Sequence, residues 1–158
     1  MTATYEKIAT TTLGSGSADV SFTSIAGTYT DLIIIANGKT SSESTLGLRF
    51  NSDTATNYSS TYMRGNGTTA TSGRFTSSSQ MYAFNWNNSD STALWQIQNY
   101  SNATTYKTAL NRLGGAGLYV AASVGLWRST SAITSITIKS NDTFSTGSTF
   151  TLYGIKAE

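Results

Sequence analysis

Apolar and polar residues alternate with a period of two along much of this chain, and no stretch sustains a 3.6-residue period. Successive side chains of a strand point to opposite faces, so these runs predict half-buried strands. Val20, Phe22 and Ser24 share one face of a short run, with Ser21 and Thr23 on the other. Leu46, Leu48 and Phe50 alternate with Gly47 and Arg49, which places Arg49 outward. Tyr82, Phe84 and Trp86 share a face of the run 81–86, and Trp95 and Ile97 share one in 94–98. The cleanest alternation is in 118–127, where Leu118, Val120, Ala122, Val124 and Leu126 interleave with Tyr119, Ser123 and Gly125. The run 31–36, Asp-Leu-Ile-Ile-Ile-Ala, is apolar on both faces and predicts a central strand covered on both sides. Further strands are expected around Tyr58, Tyr62 and Met63 and at 106–113. Two terminal runs carry Ile136 and Ile138, then Phe150 and Leu152.

Clusters of Gly, Asn, Asp and Ser separate these runs at 14–17, 37–38, 51–57, 64–67, 87–90, 99–105 and 114–117. The chain has no Pro, so its turns rest on these residues. Residues 5–13 are Thr-rich, with Ile8 and Leu13 as apolar points, and read as an edge strand or as an arm that docks elsewhere. Residues 68–79 are small and polar apart from Arg74 and Phe75, and read as an exposed loop and a candidate contact surface. Ten or eleven short strands, spaced at roughly 8–12 residues, predict an all-β fold. The expected architecture is an antiparallel β-sandwich of jelly-roll or Greek-key type. It forms a single domain over 1–158, with 1–13 as the docking arm. The last alternating run reaches the end of the sequence, so nothing further is expected to be appended.

Composition narrows the function classes. An apolar content of 38% and an aromatic content of 11%, arranged periodically, outweigh the low charge of 11% and favour folding over disorder. At 158 residues the chain is long enough for a real core. Ten Lys and Arg are scattered and the net charge is +2, so no surface suited to several phosphates is expected and no nucleic acid is called for. The longest aliphatic run, 32–36, is too short to span a bilayer, so no membrane is expected. The N-terminus lacks the basic-then-apolar form of a secretion signal, which predicts folding in a cytoplasm. Without Cys or His there is no thiol nucleophile, no Ser-His-Asp arrangement and none of the usual zinc ligand sets.

The remaining chemistry is sparse. Glu6, Asp19, Asp31, Glu43, Asp53, Asp90, Asp142 and Glu158 fall mostly in turns or at strand ends, in no spacing that suggests a glycosidase pair. The Gly-rich pieces at 14–16 and 114–117 lack the ending and the helix of a phosphate loop. Asn51-Ser-Asp53 offers oxygen ligands but not an EF-hand pattern, and reads as a loop. No enzyme, cofactor or metal is expected. Trp86, Trp95 and Trp127, with Tyr58, Tyr62, Tyr82 and Tyr119, read first as core or subunit-interface residues and second as stacking platforms for sugars. Arg128, beside Trp127, reads as a loop anchor before an interface group.

Two segments carry a resemblance: Gly125-Leu-Trp-Arg-Ser-Thr-Ser-Ala-Ile-Thr-Ser-Ile-Thr-Ile138 and Gly147-Ser-Thr-Phe-Thr-Leu-Tyr-Gly-Ile-Lys-Ala157. With Tyr29-Thr-Asp-Leu32, Leu48-Arg-Phe-Asn51, Tyr58, Arg64-Gly-Asn-Gly67 and Tyr106-Lys-Thr108, the chain resembles a group of small virion proteins of tailed bacteriophages, common among cyanobacterial phages. The Thr-Leu-Tyr-Gly-Ile-Lys ending recurs in both head-surface and tail-fibre proteins. The resemblance implies a β-sandwich that assembles, as a homo-trimer, on the particle surface. It supplies no catalytic residues. The expected function is that of a capsid decoration, or cement, protein bound to the major capsid protein on the phage head and made in the infected bacterium. The alternative is a tail-fibre module that recognises host surface glycans. Tyr5, Lys7, Ile8, Leu13, Tyr62, Trp86, Trp127 and Arg128 are the candidate docking or interface residues.

Overall fold

A computed structural model describes residues 4–117 and 119–156. The described residues form twelve strands and no helix. They are β1 (Tyr5–Thr12), β2 (Ser17–Phe22), β3 (Asp31–Gly38), β4 (Ser44–Phe50), β5 (Tyr58–Gly65) and β6 (Ala70–Ser78). After these come β7 (Met81–Trp86), β8 (Ser91–Gln98), β9 (Lys107–Gly115), β10 (Val120–Trp127), β11 (Ile136–Phe144) and β12 (Thr149–Ile155). An eight-stranded sheet runs β1-β12-β3-β8-β9-β10-β5-β6, and a four-stranded sheet runs β2-β11-β4-β7. Every pairing is antiparallel. Only β5–β6, β8–β9 and β9–β10 follow one another within a sheet. Each other connection crosses to the opposite sheet, so the fold is a β-sandwich with connections of the jelly-roll kind.

The core lies between the sheets. Leu32, Ile34, Ala36, Trp95, Ile97, Phe150 and Leu152 face inward from the large sheet, and Leu46, Leu48, Phe50, Ile136 and Ile138 from the small one. Burying each large side chain contributes about 1.5–3 kcal/mol. Trp86, Phe144 and Phe150 lock one end, with Phe144 and Phe150 edge-on at 4.9 Å between centroids.

Three expectations need correction. Residues 70–78, expected as part of a loop, form the edge strand β6. Its side chains are mostly exposed, so no apolar alternation marks it. Backbone pairing to β5 makes it a strand. The hairpin is set by Asn66, whose Oδ1 accepts from the Thr68 and Thr69 amides (3.1 and 2.8 Å), and by Gly67 at φ +92°. In β7 the shared face of Tyr82, Phe84 and Trp86 is broken by a bulge. Trp86 pairs with Ser44 and Met81 with Leu48 on the inner side, while Tyr82 pairs with Gly47 on the outer side. Ser24 leaves its strand with φ 55° and is exposed. The central strand β3 lies between β12 and β8. Leu32, Ile34 and Ala36 fill its core face, and on its other face Ile33 is buried and Ile35 partly so, as expected of a strand covered on both sides.

The period of β10 is as expected, but its apolar side faces out. Leu118 lies outside the described residues. Ala121, Ser123, Gly125 and Trp127 are buried, whereas Val120 and Val124 are 67% and 53% exposed. Two contacts fix this phase. A Cβ on Gly125 would overlap Cγ and Sδ of Met81, which reaches across from β7. The Trp127 indole packs on Phe50 and Tyr58. Because side chains alternate strictly, both contacts turn Val120, Ala122, Val124 and Leu126 outward.

Gly125→Ala is expected to destabilise the fold by about 1–3 kcal/mol through overpacking against Met81, measured by urea denaturation. A second expectation concerns acid. The Asp142 carboxylate accepts from the Ser41 and Ser42 hydroxyls (both 2.7 Å) and the Ser42 amide (2.8 Å). These bonds push its pKa down to about 2. A depressed carboxylate pKa gives stability that is complete above the unfolded value of ~3.9 and is lost as pH falls toward 2. Stability measured from pH 5 to pH 2 should fall less steeply in Asp142→Asn than in the wild type.

Candidate functional site

The structure distributes the sequence-predicted site residues over three places and makes most of them structural. Tyr5, Lys7 and Ile8 belong to β1, which is paired along β12 from Tyr5–Ile155 to Thr12–Thr149. Leu13 continues the attachment, donating to Ser148 O (2.9 Å) and accepting from the Gly147 amide (2.8 Å). The stretch 4–13 is therefore the edge strand and its continuation, not a free arm; residues 1–3 lie outside the described residues. Ile8 sits in a bulge between Lys7 and Ala9 and packs on the core, as does Leu13. Tyr5 and Lys7 are exposed.

Trp86 and Trp127 are 0% and 2% exposed, so neither can serve as a sugar platform or an interface residue. Their inward phase leaves their faces against Phe144, Phe150, Phe50 and Tyr58. Trp127 Nε1 donates to Asp53 Oδ2 at 2.7 Å. The same carboxylate accepts from Asn57 Nδ2 (2.9 Å) and the Ala55 amide (2.8 Å). Burial opposes its charge, but the bonds from Asn57, Trp127 and Ala55 outweigh burial and lower its pKa. Tyr58, whose hydroxyl accepts from the Phe50 amide at 3.0 Å, is pushed up to about 12, chiefly by burial. Arg128 clamps the same loop, donating to Thr56 O (3.0 Å), Tyr58 O (3.4 Å) and Ser59 Oγ (3.3 Å). Asn51 Oδ1 accepts from the Thr134 and Ser135 amides (2.9 and 3.2 Å). Residues 51–57 and 128 are thus an internally saturated clamp. Among the described residues no cluster of three or more metal-ligating side chains is present.

Tyr62 is partly buried in an aromatic ladder. It meets Phe84 edge-on at 4.6 Å and Phe75 at 5.6 Å, and Phe75 in turn meets Tyr82 at 4.7 Å. The ladder joins β5, β6 and β7 across the side of the sandwich where both sheets end. Lys107, which sequence reasoning did not single out, is buried and donates to Thr105 O (2.7 Å) and Thr130 O (3.1 Å). Burial lowers its pKa.

Two features are open to a partner. The first is the outer face of the large sheet. Cross-strand rows join Leu94, Arg112, Ala122 and Met63, and then Gln96, Leu110, Val124 and Thr61. Met63, Val120, Val124 and Leu110 are 67%, 67%, 53% and 38% exposed. Arg112 is the one charged residue at the outward positions of β8, β9, β10 and β5 among the described residues. Part of the face is hollowed into an open groove of about 1090 Å³ that includes Met63, Ala70, Leu94, Arg112, Val120 and Ala122. The second feature is a polar hollow of about 240 Å³ at the end of β5 and β6, lined by Glu43, Arg64, Asn66, Thr69, Thr71 and Tyr119. There the Arg64 guanidinium lies 5.2 Å over the Tyr119 ring, and Asn85 Nδ2 donates to Glu43 Oε1 at 2.7 Å. The alternation in 118–127 signalled the outer face, but nothing in the sequence signalled the hollow.

No family model matches the chain, and no curated protein is matched by it. Solved structures show distant similarity. A sucrose-6-phosphate hydrolase from Lactobacillus gasseri is 8% identical, with 89% of this chain and 28% of that chain covered and a TM-score of 0.38. A tetrameric galectin from the ball sponge Cinachyrella sp. is 10% identical over 87% of this chain and 99% of that one, with a TM-score of 0.36. An exo-inulinase from Aspergillus awamori is 10% identical over 97% and 29%, with a TM-score of 0.34. The chain spans less than a third of the hydrolase and the inulinase.

Asp53→Ala should leave the buried Trp127 N–H unpaired and cost about 1–3 kcal/mol, with Trp emission shifted to the red as the loop opens. Urea denaturation followed by fluorescence measures both. Asp53→Asn, which keeps one acceptor oxygen, should lose less.

Proposed function

We propose that this chain is a structural protein of a virus particle: a decoration, or cement, protein on the head of a tailed bacteriophage. It works by binding and not by catalysis. The observation that carries this reading is the outer face of the large sheet, where exposed Met63, Leu110, Val120 and Val124 adjoin, with Arg112 among them and Arg74 at the end of the Val124–Thr61 row. Contiguous apolar surface of this kind marks a protein contact. Exposed Met and Arg side by side match the composition of protein–protein interfaces. The resemblance of 125–138 and 147–157 to phage virion proteins supplies the setting. The mechanism is mechanical: copies bind assembled capsid subunits, and binding to the assembled state alone stabilises it by mass action.

A second reading, a tail module that recognises host glycans, is favoured by the polar hollow at Glu43, Arg64 and Tyr119. It replaces the Trp platforms, which are buried.

Quantitative mass spectrometry of purified particles tests the proposal. The expected result is a copy number in simple ratio to the major capsid protein. A copy number far below that ratio would move the protein to the tail and put the glycan reading first. In that case Arg64→Ala, folded by circular dichroism, should lose binding on a glycan array. Absence from particles would overturn both readings.

A further inference from the structure

We infer that Asn66, at the turn between β5 and β6, is a site of self-modification: the folded chain converts this amide to a carboxylate in the lining of the polar hollow. The reaction needs only water and does not depend on the particle that the protein serves.

The chemistry is intramolecular. The Gly67 amide nitrogen bonds to Asn66 Cγ and gives up its proton. The Cγ–Nδ2 bond breaks, and Nδ2 leaves as ammonia with that proton. Water then adds to Cγ of the cyclic imide, the bond from Cγ to the Gly67 nitrogen breaks, and a proton returns to that nitrogen. The sum is amide plus water to acid plus ammonia, with no oxidant and no change at the backbone.

Three observations point to Asn66. First, its Oδ1 sits among four donors: the Thr68 and Thr69 amides (3.1 and 2.8 Å) and the Thr68 and Thr69 hydroxyls (3.0 and 3.1 Å). Attack at Cγ puts negative charge on this oxygen, and donors already aimed at it stabilise that charge without rearranging. Second, the nucleophile is free. Asn66 and Gly67 are exposed, the Gly67 amide donates to no described group, and Gly67 has no side chain to crowd it. Third, the fold supplies two comparisons. Asn102 repeats the same arrangement, its Oδ1 accepting from the Thr104 and Thr105 amides (2.7 and 2.9 Å) and hydroxyls (3.0 and 3.2 Å), but Ala103 follows it. The other Asn-Gly pair, Asn37-Gly38, lies in β3. There Asn37 is paired to Thr149 and Thr92 on its two sides, which holds the backbone extended against ring closure.

The hairpin also selects the product. Opening the imide at its main-chain carbonyl would route the backbone through the side chain as isoaspartate and insert an extra atom between β5 and β6. That works against the bond from the Asn66 amide to Thr69 O (3.2 Å) and the Gly65–Ala70 pairing. Opening at Cγ keeps both, and a carboxylate accepts the bonds now made to Oδ1 more strongly than an amide does. The new charge stands in the same lining as Arg64 and Glu43. It replaces the donor Nδ2 by an acceptor and so changes which groups the hollow can bind.

Ageing the full chain in mildly alkaline buffer, followed by tryptic digestion and mass spectrometry, tests this. Cleavage after Arg64 and Arg74 releases Gly65–Arg74, in which Asn66 is the one amide side chain. This peptide should acquire the mass of the acid while Asn37 and Asn102 keep their amides. It should co-elute with the same peptide from Asn66→Asp, a variant expected to match the wild type by circular dichroism. Conversion at Asn37 or Asn102 as fast as at Asn66 would overturn the site. A product that is mainly isoaspartate, eluting apart from the Asn66→Asp peptide, would overturn the selection by the hairpin. Thr68→Val with Thr69→Val removes both hydroxyl donors at exposed positions and should slow the conversion several-fold. An unchanged rate would overturn the part assigned to those hydroxyls.

Discussion

Strand β10 meets the small sheet through a residue with no side chain and through the largest side chain there is. Gly125 leaves the space that Met81 fills, and Trp127 enters the core to bond Asp53 and pack on Tyr58 and Phe50. Both sit at the same parity, so together they set which side of β10 is inside. The loop 51–57 depends on the same contact, since Asp53 is held by Trp127 and the loop backbone is held by Arg128. The surface depends on it too. Once Trp127 faces in, the aliphatic residues of β10 face out, and with Leu110 and Met63 they form the apolar centre of the large sheet.

A protein of this size ordinarily places its best apolar alternation toward its own core. Here the small sheet has only four strands against eight, and the inner side of β10 opposite β7 is filled by Met81 and by small residues. The chain fills its core with aliphatic and aromatic side chains of other strands and with Trp127, and leaves Val120 and Val124 of β10 exposed.

Of the docking residues chosen from the sequence, the structure buries two and ties others into the fold. Trp86 and Trp127 read first as core residues and Arg128 first as a loop anchor, with an interface role second, because aromatic and guanidinium groups serve interfaces well. All three are committed within the fold, the Trp residues by burial and Arg128 by three acceptors of its own chain. Residues 5–13 read as an edge strand or an arm because Thr-rich sequence carries little apolar signal, and the backbone pairing of 5–12 with β12 makes them the edge strand. The outer face was legible as a pattern in 118–127 but not as a surface. The polar hollow, assembled from β4–β6 neighbours and Tyr119, left no sequence signal.

The sequence by itself determined the period of nearly every strand, the all-β class, the two-sheet architecture and the use of Asn, Asp and Gly at the turns. Those properties follow from side-chain alternation and local backbone preference, which neighbouring residues encode. Only the tertiary structure decided the phase of β10, the bulge that turns Tyr82 away from Trp86, and the existence of β6. Alternation specifies that two faces differ; which of them is buried depends on what the opposite sheet presents. An edge strand held by backbone hydrogen bonds needs no apolar pattern at all.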